Sequence, residues 1–386
     1  MKVGIDVSLV AGERAGGGQY AYQLARALAG ADPGVSYLLY PVFYYIVHPE
    51  YPSAELPEAD NMQVAFRGIR PRDLMAFFRP EAPAMFKEWL LGPVDVVHST
   101  TFCVPEFRLR PKGLVVTIYD LSFITHPELH LPANVEHCLA GTRLAVERAD
   151  AIVAISGHTR QDLVERLGAS PDRIVVTPLA HDPDLAPVTD GARLAAVRQR
   201  YGLPERFVLF LGALEPRKNL PRLLEAYATL PAALRRDVHL VVAGMRGWLN
   251  DSIHAHVRAL GLEATVHFAG YVDSGDLPAL YSLAAVFAYP SLYEGFGLPV
   301  LEAMACGTPV LTSDGSSLPE VAGDAAVLVS PTDVDAIADG LRRVLDSPSL
   351  RDELSTRGIR RAAGFSWDRC ARQTLEVYRR VSGKGR

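Results

Sequence analysis

The strongest constraint on this chain is a rhythm that runs, stops and runs again. Short β-branched stretches alternate with longer segments of helical period: KVGIDV precedes GQYAYQLARALAG, then come VDVVHS, LVVTIYD and DAIVAIS, the last leading into GHTRQDLVERLG. Apolar runs separated by amphipathic crossovers require parallel strands with helices between them, which is a doubly wound sheet. From Phe207 a second series begins with FVLFLG and continues through HLVVAG, TVHFAG, AVFAYP, TPVLTS and AAVLVS. The pattern specifies two α/β domains, and 386 residues are enough to give each its own interior.

Between the two series lies HDPDLAPVTDG from His181, rich in Pro, Asp and Gly, followed by a polar helical piece ending near Tyr201. It reads as an interdomain linker. The expected division is a first domain over 1–185, a linker over 186–204 and a second domain over 205–365. FSWDRCARQTLEVYRRV, from Phe365, is a further helix, and 366–386 is expected to pack back on the first domain. Open α/β sheets bind ligands beyond the carboxyl ends of their strands, so strand-to-helix loops are the places to look for chemistry. Two such domains facing each other would hold a ligand between them.

Composition removes several function classes. A formal charge of -5 supplies no basic field, so nucleic acid is not an expected partner. Cys103, Cys138, Cys306 and Cys370 lie far apart with no C-x-x-C pair, which argues against a zinc cage or a disulfide framework and suits a reducing cytosol. MKVGIDVSLV enters a strand directly, without the pattern of a signal peptide, and no apolar run reaches the roughly 18 residues needed to span a bilayer. A cytoplasmic location is expected. RGIRPRDLMAFFRPEAPAMFKEWLLG, from Arg67, mixes cations with Met, Phe and Trp; read as an interfacial helix, it would add peripheral contact at the inner membrane face. Pro80 and Pro83 interrupt it and favour a segment packed on its own core.

Three loops could carry chemistry. AGERAGGGQYAYQL places Gly16, Gly17 and Gly18 between the first strand and its helix, where a helix N-terminus can receive a phosphate or carboxylate. A tight turn explains the glycines equally well. The loop matches neither G-x-G-x-x-G nor G-x-x-x-x-G-K-[ST], so nicotinamide chemistry and P-loop hydrolysis lose their main support. FLGALEPRKNLPRLLEAY runs from a strand through Gly212 to Arg217 and Lys218, then into a helix with Asn219 at its N-cap position. Two adjacent cations there could neutralise a diphosphate, Arg by its fork and Lys as a point charge.

EGFGLPVLEAMACGTPVLTS sets Glu294 in a loop, marks a helix opening with Gly297 and Pro299, and puts Glu302 about one turn inside. A glycosidase needs two carboxylates flanking one bond, and spacing alone leaves that open. The alternative layout has Glu294 accepting hydrogen bonds from sugar hydroxyls, the helix N-terminus facing phosphate and Glu302 binding a ribose diol. Its length is that of a nucleotide sugar.

Taken with VVTIYDLSFITHPE from Val115 and DAIVAISGHTRQDL, the glycine loop, LGALEPRKNL and YPSLYEGFGLPVLEAMACGTPVLTSD resemble glycosyltransferase family 4 over nearly the whole chain. The last segment looks like that family's E-x7-E element. The resemblance implies a GT-B fold of two Rossmann-like domains and a retaining transfer of a hexose, mannose or glucose type, from a nucleoside diphosphate sugar. The acceptor would be a saccharide or lipid-linked hydroxyl in polysaccharide or glycoconjugate synthesis, and GDP-mannose is the preferred donor.

Carried over by position, Arg217 and Lys218 would hold the donor diphosphate, Glu294 the sugar hydroxyls and Glu302 the ribose. Backbone from Gly295 through Phe296 and Gly297 to Leu298 would contact sugar or phosphate; Gly17 and Gly18 would approach from the first domain. Gly270 and Tyr271 fall where the family's base-binding loop lies. Two departures stand out. Tyr119-Asp120 replaces a frequent His-Asp, so a hydroxyl takes the place of an imidazole near the transferred sugar. Gly212-Ala213-Leu214 replaces a frequent G-R-L, leaving Arg217 to supply the missing cation. The front-face route implied needs no metal and no cofactor; DVD at Asp333 and HDPD at His181 read as a helix N-terminus and a turn. The rival readings are a nucleotide-sugar epimerase on the same fold and a non-catalytic sugar-nucleotide-binding protein.

Overall fold

A computed structural model describes residues 1–10, 16–40, 56–65, 92–101, 104, 113–244 and 253–383. The membrane-contact reading of the segment from Arg67 and the thiol of Cys103 lie outside the described residues. No described helix is long and apolar enough to cross a membrane.

The chain divides into two compact units, Met1–Leu179 with Ser366–Arg386, and Ala180–Phe365. The stretch read as a linker therefore belongs to the second unit, where the helix Gly191–Arg200 packs against the helix Leu277–Leu283.

In the first unit the strands are β1 (Lys2–Asp6), β2 (Ser36–Tyr40), β3 (Met62–Val64), β4 (Val96–Ser99), β5 (Gly113–Ile118), β6 (Ala151–Ala154) and β7 (Ile174–Val176). They pair in parallel in the order β3-β2-β1-β4-β5-β6-β7. Every residue of β4, β5 and β6 is buried, as expected for a parallel sheet covered on both faces. The order reverses between β1 and β4, which marks the switch point where such sheets bind ligands.

The helix Gly17–Ala31 covers one part of this sheet through Tyr20, Ala21, Leu24, Ala25 and Leu28. The chain's last helix, Trp367–Ser382, packs beside it, burying Cys370, Thr374, Tyr378 and Val381 at helical spacing. Two features fix that docking. Tyr378 Oη lies 2.6 Å from His98 Nδ1 on β4, and a Cβ at Gly113 would meet Val381 Cγ2 at 2.3 Å, so only glycine permits the approach.

The second unit repeats the design with β8 (Phe207–Leu211), β9 (His239–Ala243), β10 (Val266–Gly270), β11 (Val286–Tyr289), β12 (Val310–Ser313) and β13 (Ala326–Val329). The order is β10-β9-β8-β11-β12-β13, again all parallel, with the reversal between β8 and β11. Connecting β8 to β9 and β11 to β12 are the helices Leu220–Thr229 and Leu298–Ala305. The second opens at Gly297, whose φ of 109° suits glycine, carries Pro299 in its first turn, and is followed by Gly307 in the left-handed region.

Candidate functional site

The loops after β8 and β11 leave the sheet at its switch point, so residues some seventy positions apart in sequence arrive together. After Gly212 the chain makes one 3-10 turn, Pro216–Lys218, and enters its helix through Asn219 at φ 62°. Asn219 occupies the N-cap position, but its side chain does not cap the helix. Its Nδ2 donates to Pro290 O at 2.8 Å, in the loop after β11, and to Pro331 O at 2.7 Å, in the segment after the last strand of this sheet. The backbone N–H of Leu292 completes the tie by donating to Arg217 O at 2.9 Å.

Glu294 sits at the centre. Lys218 Nζ donates to its Oε1 at 2.7 Å, Arg217 Nη1 donates to its Oε2 at 2.8 Å, and the Ser291 hydroxyl lies 2.8 Å from Oε1. Arg217 is held further by Tyr293 O at 2.7 Å and by Glu215 Oε2 at 3.3 Å. Two cations and two carboxylates thus share one nearly enclosed site, with Lys218 at 8% and Glu294 at 6% exposure. Behind it, Ser316 Oγ accepts from Glu294 N at 3.0 Å and Ser317 Oγ donates to Glu294 O at 2.8 Å, which fixes the loop backbone.

Burial alone would lift the Glu294 carboxyl, but the charges of Arg217 and Lys218 and the bonds from Lys218 and Ser291 outweigh it and bring it down to about 2. Glu294 is therefore a permanent carboxylate near neutrality. Burial pushes Lys218 down and is reinforced by the Arg217 charge, while Glu294 and Glu215 oppose the shift. Burial raises Glu215, against the pull of Lys218 and Arg217.

Glu302 differs. It lies one turn inside the helix Leu298–Ala305, half-buried, where its Oε2 accepts from the Tyr281 hydroxyl at 2.9 Å. Burial is the main cause that lifts it to about 7; the charge of Asp182 adds to the rise and the Tyr281 bond opposes it. One glutamate held low and the other raised is also the contrast that an acid/base pair would show, so titration alone does not separate the two layouts.

The glycines divide by what encloses them. At Gly212 the N–H donates to Ala243 O at 3.1 Å, and Gly244 N donates to Gly270 O at 2.8 Å, which joins the ends of β8, β9 and β10. Gly244 has φ 125°, and a Cβ there would lie 2.0 Å from Gly212 O. Gly270 has φ 71° after a register shift in β10, and the neighbouring Tyr271 is 48% exposed. Phe296 packs edge-on against Phe365 at 5.8 Å, so its side chain serves the core. What Gly295, Phe296, Gly297 and Leu298 can offer a ligand is backbone.

In the first unit, a Cβ at Gly18 would meet Leu9 O at 2.3 Å, and one at Gly17 would meet Leu9 Cδ1 at 2.7 Å and Tyr119 Cζ at 3.3 Å. Packing thus demands glycine at 18 whatever the loop binds. The Tyr119 hydroxyl donates to Thr100 O at 2.7 Å, and its ring stands edge-on to Tyr20 at 5.6 Å. Asp120 Oδ1 accepts from the N–H and hydroxyl of Ser122 at 2.9 and 2.6 Å, closing the turn that starts the short helix Ser122–Thr125.

The structure brings Arg217, Lys218 and Glu294 into contact and sets Gly17 beside Tyr119. Glu302 is not a hydrogen-bond partner of Glu294. Sequence reasoning missed Glu215, Ser291, Tyr281 and Asp182, because one acid beside R-K or one hydroxyl in a loop carries no signal until the strand order is known.

With this geometry in view, likeness to known proteins becomes specific. The family model described as Glycosyltransferase Family 4 matches residues 14–185, and the one described as Glycosyl transferases group 1 matches 196–361. O-antigen chain mannosyltransferase B of Escherichia coli is 38% identical over 285 residues, 74% of each chain. The D-inositol 3-phosphate glycosyltransferase of Salinispora arenicola is 31% identical over 95% of this chain and 87% of its own. Among solved structures, sucrose-phosphate synthase of Thermosynechococcus elongatus superposes over 100% of both chains with a TM-score of 0.78 at 23% identity, a likeness of fold. Two parallel α/β units, this superposition and the matched relatives leave one assignment: the chain belongs to glycosyltransferase family 4, has the GT-B fold and is a glycosyltransferase.

Proposed function

We propose that this enzyme transfers mannose from GDP-mannose to a hydroxyl of a saccharide or lipid-linked acceptor, with retention at the anomeric carbon, in polysaccharide or glycoconjugate synthesis. The observation that carries the reading is the Arg217–Lys218–Glu294 cluster at the β8–β11 switch point, with the N-terminus of the helix Leu298–Ala305 following directly. The mannosyl preference leans on the Escherichia coli O-antigen relative.

As the sugar leaves, negative charge grows on the β-phosphate. Arg217, Lys218 and the helix N-terminus lower the energy of that charge, and preorganised charge in an enclosed site acts more strongly than in water. Glu294, ionised at working pH, accepts hydrogen bonds from sugar hydroxyls; Glu302 accepts from the ribose. Backbone of Gly295 to Leu298 contacts sugar and phosphate, while Gly212, Gly270 and Tyr271 belong to the donor side. Gly17, Gly18, Tyr119 and Asp120 are assigned to the transferred sugar from the first unit. The route uses no enzyme nucleophile, metal or cofactor.

The test incubates the protein with GDP-mannose or UDP-glucose, with and without mannose-terminated oligosaccharides, and follows donor, free sugar and product. Acceptor-dependent product with α-configured mannose is expected. Isomerised donor without acceptor would point to an epimerase, and tight binding without turnover across the panel to a sugar-nucleotide-binding protein.

A further inference from the structure

Under the donor reading, the segment that follows β10 meets the nucleobase, yet its shape is set from elsewhere in the second unit. Gly270 turns the chain at φ 71°, Val272 is buried, and Tyr271, Ser274 and Gly275 stand exposed before the helix Leu277–Leu283 begins. Asp276 N donates to Asp273 O at 2.9 Å and closes a turn. An exposed loop containing glycine samples several shapes when little else holds it.

The end of the helix Gly191–Arg200 supplies the hold. The Tyr201 hydroxyl donates to Asp276 Oδ2 at 2.9 Å and accepts from Asp273 N at 3.1 Å, so one group spans both ends of the turn. Tyr201 is itself pinned to β10, because its carbonyl accepts from His267 Nε2 at 2.9 Å. Arg193 Nη2 donates to Gly275 O at 2.8 Å, and Arg200 pairs with both Asp273 and Asp276. The arginine bonds are exposed, and exposed ion pairs contribute little, so the half-buried hydroxyl is the main brace.

Position gives the brace its consequence. In the order β10-β9-β8-β11, β10 lies two strands from β8, roughly 10 Å at the spacing of paired strands, on the side away from β11. A nucleotide whose diphosphate meets the loops after β8 and β11 would reach that far with its base. The helix that follows the turn carries Tyr281, the partner of Glu302, so the turn leads directly to the carboxylate assigned to the ribose.

We propose that Tyr201 is a positioning residue for nucleobase recognition: its hydroxyl holds segment 271–276 in the shape that receives the base before the donor arrives. A loop ordered in advance binds more tightly, because its ordering entropy is not lost at binding. The role concerns donor binding and leaves the chemical step at the phosphate alone. It rests on the reading of Gly270 and Tyr271 as the base-binding side of the donor.

Tyr201→Phe keeps the ring and removes the hydroxyl. With whichever of GDP and UDP the wild-type chain binds, affinity by calorimetry should fall about fivefold, within what one hydrogen bond to a charged group can supply. Pyrophosphate, which has no base, should inhibit both proteins alike. In transfer assays the donor KM should rise while kcat holds. Circular dichroism checks the fold, and if the variant does not fold, Asp276→Asn carries the same test from the other end of the bond. Unchanged nucleotide affinity, or an equal loss for nucleotide and pyrophosphate, would overturn the proposal. Photolabelling of the wild-type chain with GDP or UDP bearing an azide on the base separates this inference from its foundation. Label outside 270–276 means that the base placement fails and the proposal with it; label within that segment, with nucleotide affinity unchanged in Tyr201→Phe, means that only the role of Tyr201 fails.

Discussion

The two units carry the same switch point and fill it with opposite chemistry. Between β8 and β11 stand four charges, Glu215, Arg217, Lys218 and Glu294; Glu294 is joined to both cations by short charge-assisted bonds, and Glu215 to Arg217 by a longer one of 3.3 Å. Among the described residues between β1 and β4, Asp6 is a carboxylate held by neutral donors. Asp6 accepts from Ser8 N at 2.9 Å, from the Ser8 hydroxyl and from Thr101 Oγ1 at 2.9 Å, while Thr100 Oγ1 donates to its main-chain oxygen at 2.7 Å. Thr100 O in turn accepts from Tyr119, so the web runs from the first strand to the tyrosine.

Titration follows the contrast. Burial raises Asp6, and the bonds from Ser8 and Thr101 recover only part of the shift, whereas Glu294 is held at about 2. The signs for stability are therefore opposite. Glu294 stabilises the fold above the ordinary carboxylate pKa, and this is lost as pH falls from about 4.5 toward about 2. Asp6 favours its protonated form in the folded chain, so its contribution is present at low pH and is lost as pH rises through its raised pKa. One architecture thus supports a neutral web that holds a loop and a cluster of paired charges; topology sets the place and residue type sets the chemistry.

The largest expected effect breaks the charged side. Lys218→Ala should lower sugar transfer about a hundredfold or more, the usual loss when one preorganised charge donor is removed, as measured by single-turnover rates at saturating acceptor. The same change leaves Glu294 short of a buried partner and should destabilise the second unit by about 3 kcal/mol, seen in denaturant titrations. Next comes the neutral side. Gly18→Ala puts a methyl against the Leu9 carbonyl, and should cost about 2–3 kcal/mol of stability, read as a fall in Tm.

A smaller effect sharpens the contrast within the E-x7-E segment. With Glu302 near 7, donor affinity should rise several-fold from about pH 6 to 8 as the carboxyl ionises and can accept from the ribose, and Glu302→Gln should flatten that slope. Glu294, already ionised, should contribute no slope there. The smallest is Tyr119→Phe, which leaves Thr100 O without its bond at a cost of about 1 kcal/mol, measured by denaturant titration.

Much of the architecture is legible in the sequence because parallel strands covered on both faces spell unbroken apolar runs, as GLVVTI in β5 and VFAY in β11 do. The helix start between Glu294 and Glu302 is legible for a local reason, Gly297 and Pro299. What no local pattern reveals is partnership. Arg217 and Lys218 meet Glu294 across 77 and 76 positions, because β8 and β11 are neighbours only through a crossover. Tyr119 reads as a substitution for histidine, yet the bond it makes here is to a backbone carbonyl, which has no residue signature. Asn219 sits where a cap is expected, and its left-handed backbone turns the side chain to bridge loops instead.

The central claim is that the β8–β11 cluster receives a diphosphate, and phosphorus NMR of bound GDP tests it at the atoms concerned. The account predicts that the wild-type chain shifts and broadens the β-phosphorus resonance, and that Lys218→Ala and Arg217→Ala largely abolish the change while remaining folded by circular dichroism. An unaltered β-phosphorus shift in both folded variants would contradict it.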